Sequence, residues 1–176
     1  CSKILTELLD RLVSVDSSCD SCKTDNLKAY NLYAEGRHHW NKREESELEK
    51  GIECFKKALN EDPSFSLAYS GLIDSWILLI GLAHTKKEKL LPQCWDALHK
   101  AEKLGDTSAE FYTSHAAILE REGKTDEAIE YYITAIEQNP NYATAHHWLG
   151  MQYHSKNENE KAVEELDKAM TLDPKS

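Results

Sequence analysis

Residues 125–142 read TDEAIEYYITAIEQNPNY, and residues 159–174 read NEKAVEELDKAMTLDP. Laid one over the other, Ala128 meets Ala162, Tyr132 meets Leu166, Ala135 meets Ala169 and Pro140 meets Pro174, each pair 34 positions apart. The same step upstream joins Tyr112 to His146, Ala116 to Gly150, Leu119 to Tyr153 and Gly123 to Asn157. A fixed period in this range means one supersecondary unit copied along the chain, which sets the architecture before any single element is considered.

Each position type suits one job in a helix-turn-helix. Ala116 and Gly150 are small where two antiparallel helices cross closely. Ala128, Ala135, Ala162 and Ala169 are small where the second helix meets its neighbours. Leu119, Tyr132, Tyr153 and Leu166 are large residues at the spacing of a helical apolar stripe. Gly123 and Asn157 accept the left-handed conformation that ends a helix. Thr125 and Asn159 are then expected as N-caps, with Asp126 and Glu160 favouring the positive helix start. Pro140 and Pro174 stop the second helix.

Two earlier units obey the same rule with insertions. In the first, Gly36 takes the close-crossing position and Gly51, Phe55, Ala58 and Asp62-Pro63 supply the second helix. Gly36 to Gly51 is 15 residues where Ala116 to Ala128 is 12, so three extra residues fall within Asn41 to Ser46. The second unit runs through Tyr69, Leu72 and Trp76 to Cys94, Leu98, Ala101 and Asp106. Ala58 to Ala101 spans 43 residues, nine more than the regular step, placing an enlarged connection within Leu79 to Pro92. The pattern predicts eight repeat helices near 26–42, 46–60, 64–81, 90–104, 109–121, 125–138, 143–156 and 159–171, and a ninth over Lys3 to Val15. Residues 1–24 read as an N-terminal helix and polar linker. Residues 25–176 read as a repeat domain with units of about 26–63, 64–106, 109–140 and 143–174. The fold class is therefore all-α, about four stacked hairpins coiled into an α-α superhelix. Helices this short are marginal alone in water, so stacking must order them.

The small-large-small pattern and the 34-residue period resemble the tetratricopeptide repeat family over about residues 26–174. The resemblance implies a protein-binding scaffold in which the first helix of each hairpin lines an inner groove for a peptide or partner domain. In this register the groove positions are Tyr30, Tyr33, Arg37 and Trp40 in unit one and Ser70, Asp74 and Ile77 in unit two. Unit three contributes Thr113, Glu120 and Arg121, and unit four His147, Met151 and His154. Aromatic and Met side chains beside a few charges suit a peptide, with apolar anchors for affinity and polar groups for register. One subclass of the family grips the carboxylate end of chaperones through Asn and Lys. Here Tyr33, Arg37, Thr113, Ala117, His147 and Met151 stand at those sites, so that clamp is missing. The enlarged connection, with Lys86, Lys87 and Lys89, is a second candidate binding feature.

Thr24 to Tyr30 (TDNLKAY), Gly36-Arg37, Trp40 to Arg43 and Asn139 to Trp148 (NPNYATAHHW) are similar to repeat regions of bacterial multidomain signalling proteins. These include class III adenylate cyclases, protein kinases and ToxR-type regulators, often with a TolB-like domain ahead of the repeats. Leu5 to Val13 is then expected as that domain's last helix and the chain as a fragment, consistent with its start at Cys1. A structural spacer or oligomerisation element is the alternative. The uncapped C-terminal hairpin, Val163 to Met170, is where self-association is expected.

Composition narrows the remaining classes. The chain holds 21 Lys plus Arg against 31 Asp plus Glu, a formal charge of −10, with no densely basic stretch, so a nucleic-acid partner is not expected. The longest apolar run, Trp76 to Ala83, is far short of the roughly 18 residues of a membrane span. No GxSxG, HExxH, GxGxxG or P-loop occurs, and Glu127, Glu130 and Glu137 read as a solvated face, so no enzyme activity and no cofactor are expected. His147 and His154 lie two helical turns apart, about 10 Å, too far to share a metal ion. His39 falls at the packing position held later by Trp76, Leu119 and Tyr153. Cys54 and Cys94 read as buried apolar residues and Cys19 and Cys22 as linker thiols. Five cysteines with no disulfide or zinc pattern favour the cytoplasm over the periplasm.

Overall fold

The computed structural model describes residues 24–82 and 86–174. The expected helix over Lys3 to Val15 and the Cys19-Cys22 pair lie outside the described residues. Among those described there are eight helices and no strand. They are α1 (Leu27–Trp40), α2 (Glu45–Glu61), α3 (Ser66–Leu82), α4 (Lys87–Lys103), α5 (Ala109–Glu122), α6 (Thr125–Gln138), α7 (Ala143–Ser155) and α8 (Asn159–Leu172).

The helix ends follow from local chemistry. The Asn26 side chain accepts from the backbone N–H groups of Lys28 and Ala29, and Ser108 Oγ accepts from Phe111 N–H, starting α1 and α5. Gly123 (φ 83°) and Asn157 (φ 62°) take the left-handed conformation after α5 and α7, as their sequence positions require. The expected N-caps do not form. Closing α5 uses Gly123 and Lys124, whose N–H bonds to Leu119 O at 3.0 Å, and closing α7 uses Asn157 and Glu158 in the same way. The connection is thereby exhausted. Lys124 and Glu158 occupy the cap positions without a side-chain hydrogen bond to the helix start, and Thr125 and Asn159 become the first helical residues. In unit two the extra residues lengthen α3 and α4 to 17 residues each.

The helices pair as α1/α2, α3/α4, α5/α6 and α7/α8, and each second helix packs on the first helix of the next hairpin. First helices also touch one another, α1 to α3 to α5 to α7, whereas second helices do not. The first helices therefore form a continuous inner wall. Small residues permit this closeness: Ala58, Ala116, Ala128 and Ala135 are completely buried, and Ala162 and Ala169 nearly so.

The tightest packing lies in the first two hairpins. A Cβ placed on Gly36 would sit 2.6 Å from the Phe55 ring, and one placed on Gly71 also 2.6 Å from it. The ring of α2 is held between a glycine of α1 and a glycine of α3, with no exposed surface. Around it Leu48, Ile52, Leu72, Ile73, Trp76 and Ile80 make the main core, and a second core under α5 to α7 holds Leu119, Tyr132 and Leu149. At the far end α8 fully buries only Ala162 and Ala169.

Candidate functional site: a cleft along the inner wall

The inner wall carries a cleft to which every first helix contributes. Trp40 comes from α1, Asp74, Ile77 and Leu78 from α3, Thr113, Ala117, Glu120 and Arg121 from α5, and Thr144 and Trp148 from α7. Tyr132 of α6 closes its floor, and the space within, counted to the open mouth, is about 360 Å³.

A polar ladder crosses the wall beside it. Arg37 donates to Asp74 at 3.0 Å, and Ser114 donates to the other Asp74 oxygen at 2.9 Å, tying α1, α3 and α5 together. Burial lifts the Asp74 carboxyl above the ordinary carboxylate range, while Arg37 and Ser114 pull it back. Burial also works against the charge on Arg37, but Tyr33 and Asp74 hold it protonated. Burial pushes the Tyr33 phenol up to about 12, and Glu110 is raised for the same reason. Trp40 lies between two guanidinium groups, Arg37 at 4.1 Å and Arg43 at 3.7 Å from the ring centre. Arg43 reaches this place from a left-handed backbone (φ 58°) in the α1–α2 connection. Its charge joins burial in lowering the pKa of His147.

Among the described residues, three buried polar atoms of the lining have no hydrogen-bond partner: Trp40 Nε1, Thr113 Oγ1 and Arg121 Nε. Trp40 and Thr113 are 4% and 3% exposed, so water has little access to either. A buried donor left unmade costs about 1–3 kcal/mol. All three belong to side chains that line one concavity, and the atoms themselves lie just beneath its surface.

The thirteen residues assigned from the register are distributed unevenly. Trp40, Asp74, Ile77, Thr113, Glu120 and Arg121 line the cleft. Arg37 stacks on Trp40, and Tyr33 packs against the Phe55 and Phe65 rings. Ser70 is buried with its hydroxyl unpartnered, Tyr30 and His147 are half-buried, and Met151 and His154 are exposed outside the cleft. The register does not point to Leu78, Tyr132, Thr144 or Trp148, which also line the cleft. The register gives Tyr132 to hairpin packing, and its hydroxyl also reaches Glu120 at 3.3 Å on the inner side.

A second cluster lies across the first hairpin. Glu35 and His39 of α1 and Cys54 of α2 place one ligand atom each within 4.8 Å of one another. His39 Nδ1 is 2.9 Å from Glu47, which also accepts from Lys42 and Lys50. The sequence pattern gave no sign of it, because two of its members come from one helix and the third from another.

The chain's sequence matches two family models, "TPR repeat" over residues 116–156 and "Tetratricopeptide repeat" over residues 143–176. No curated protein matches it. Among solved structures it is similar to a thermophilic TPR protein of Thermus thermophilus, with 16% identity, a TM-score of 0.55, and coverage of 84% of this chain and 93% of that one. It is also similar to the first TPR domain of human RPAP3 (18%, 0.53, coverage 82% and 96%) and to MamA (24%, 0.51, coverage 86% and 81%). These likenesses show the fold, a stack of tetratricopeptide hairpins. Tetratricopeptide repeats generally mediate protein–protein interaction and are typically non-catalytic scaffolds.

Proposed function

We propose that the chain is a protein-interaction scaffold whose inner cleft receives an extended segment of a partner protein. The observation that carries this reading is the cleft itself, to which all four first helices contribute and where Trp40, Ile77, Leu78 and Trp148 stand beside Thr113, Glu120 and Arg121. Thr113 and Arg121 are eight residues apart on α5, about 12 Å along its axis. Polar side chains spread over that length suit a chain with several carbonyl or carboxylate acceptors better than a compact ion. Ile77, Leu78 and the Trp148 ring add apolar surface for its side chains.

Peptide-library selection against the chain tests this. Selected ligands should lose roughly ten- to a hundredfold in affinity on Arg121→Met and less on Thr113→Val, which keeps the packing, or on Trp40→Phe, which trims the indole. Ligands bound equally well by all three variants would place the binding surface elsewhere.

A wider setting belongs to the same proposal: the interaction segment of a larger bacterial signalling protein, in the cytoplasm. It is supported by the resemblance of Thr24 to Tyr30 and Asn139 to Trp148, and by the free thiols of Cys54 and Cys94. Among the described residues no helix is long and apolar enough to cross a membrane.

One observation favours a second reading, self-association through the last hairpin. Val163, Met170 and Leu172 on α8 are 58%, 61% and 38% exposed. Light scattering should then show mass rising with concentration, and Val163→Glu with Met170→Lys should abolish the rise. A monomer at every concentration would rule this reading out.

A further inference from the structure

We propose that Glu35, His39 and Cys54 form a zinc site across the first hairpin, with one coordination position open to solvent. The site is separate from the inner cleft and shares no residue with it.

The donors are of the right kinds. Imidazole nitrogen, thiolate sulfur and carboxylate oxygen are the ligands zinc takes in protein sites, and the soft sulfur disfavours magnesium and calcium. Placement follows from the fold. Glu35 and His39 are four residues apart, on one face of α1. Gly51 lets α2 approach that face, since a Cβ there would lie 3.2 Å from Gly36 O and 3.6 Å from the His39 Cβ. Cys54, one turn further along α2, is thereby brought beside His39. The three ligand atoms lie within 4.8 Å of one another, and His39 Nε2 is 4.0 Å from Glu35 Oε1. Around tetrahedral zinc, ligand atoms stand roughly 3.3–3.8 Å apart. An inward shift of about an ångström closes the set, and Glu35, exposed on a long side chain, can make it.

The surroundings prepare the histidine. Glu47 accepts from Lys42 and Lys50, and its carboxylate lies 2.9 Å from His39 Nδ1. In the tautomer that donates from Nδ1 to Glu47, the Nε2 lone pair of His39 is on the Glu35 side, 4.0 Å from its carboxylate. A carboxylate fixing the far nitrogen of a ligating histidine is the usual second layer of a zinc site. Charge also balances: the thiol proton of Cys54 passes to solvent on binding, and thiolate plus carboxylate neutralise the ion.

The test uses the full chain with Cys1, Cys19 and Cys22 replaced by Ser, so that those thiols contribute no metal binding. Cobalt(II) is the probe. One equivalent should give a thiolate-to-cobalt charge-transfer band and the strong visible bands of tetrahedral cobalt, both removed by added zinc. Cys54→Ser should abolish the charge-transfer band. Glu35→Gln alters an exposed side chain and leaves the helix packing alone, and it should weaken binding at least tenfold. Glu47→Gln, which loosens His39 without touching the metal, should weaken it by roughly 10- to 100-fold. Circular dichroism of each variant confirms folding. Absence of the charge-transfer band in the parent, or equal affinity in the folded Glu35→Gln variant, would overturn the proposal.

Discussion

Phe55→Ala is expected to cost the stack about 3–5 kcal/mol, the largest loss from any single truncation here. The ring is fully buried and touches three helices, its own α2 and the glycine faces of α1 and α3. Removing it withdraws the surface on which both first helices rest, and neither can close the gap without separating from its own hairpin partner. The opposite change tests the same contact from the other side. Gly36→Ala adds one methyl group 2.6 Å from the ring, and the ring cannot retreat because Gly71 stands equally close beyond it. A loss of about 1–3 kcal/mol is expected from that overpacking. Chemical denaturation measures both. Wild-type stability for either variant would mean that Phe55 does not bridge the two hairpins.

Asp74→Ala is expected to destabilise by about 3 kcal/mol, because it leaves Arg37 charged and largely enclosed with no counter-ion. The Arg37 and Asp74 side chains are 26% and 13% exposed, which puts the effect at the lower end of the range for buried pairs. Asp74 also accepts from Ser114, so its loss unties α5 from α3 as well as α3 from α1. The double variant Arg37→Met, Asp74→Leu should recover much of the stability, since two apolar groups carry no desolvation penalty. If Asp74→Ala and the double variant unfold alike, the ladder contributes through shape and not through charge. Because the ladder borders the cleft, ligands selected against the parent chain should also bind Asp74→Ala more weakly.

The repeat period made the helices legible because it encodes spacing directly. Ala128, Ala135, Ala162 and Ala169 are buried where their register puts them, and the observed α3, α5 and α6 begin and end within two residues of the expected bounds. Cap chemistry was less legible. Thr125 and Asn159 have the right side chains, but the left-handed turns at Gly123 and Asn157 use up the connection before either can serve. The inner lining was partly legible. Residues on first helices, such as Asp74, Thr113 and Arg121, follow from register alone. Tyr132 enters from a second helix, α6, whose register assigns it to hairpin packing. Arg43 over Trp40 depends on where an irregular connection carries a side chain, and Cys54 beside His39 on how closely Gly51 lets two helices approach.

The unequal connections have a further consequence for how the molecule assembles. An array of interchangeable units lets any hairpin dock in its neighbour's seat, so a chain can close one unit out of step, or exchange a unit with another molecule, at little loss. Here unit two brings two 17-residue helices and unit one a corner held by Arg43, while only α2 carries a ring to fill the space between facing glycines. A shifted alignment would strand that ring against side chains. The irregular half thus acts as a key that admits a single order of assembly, and the regular half can remain generic.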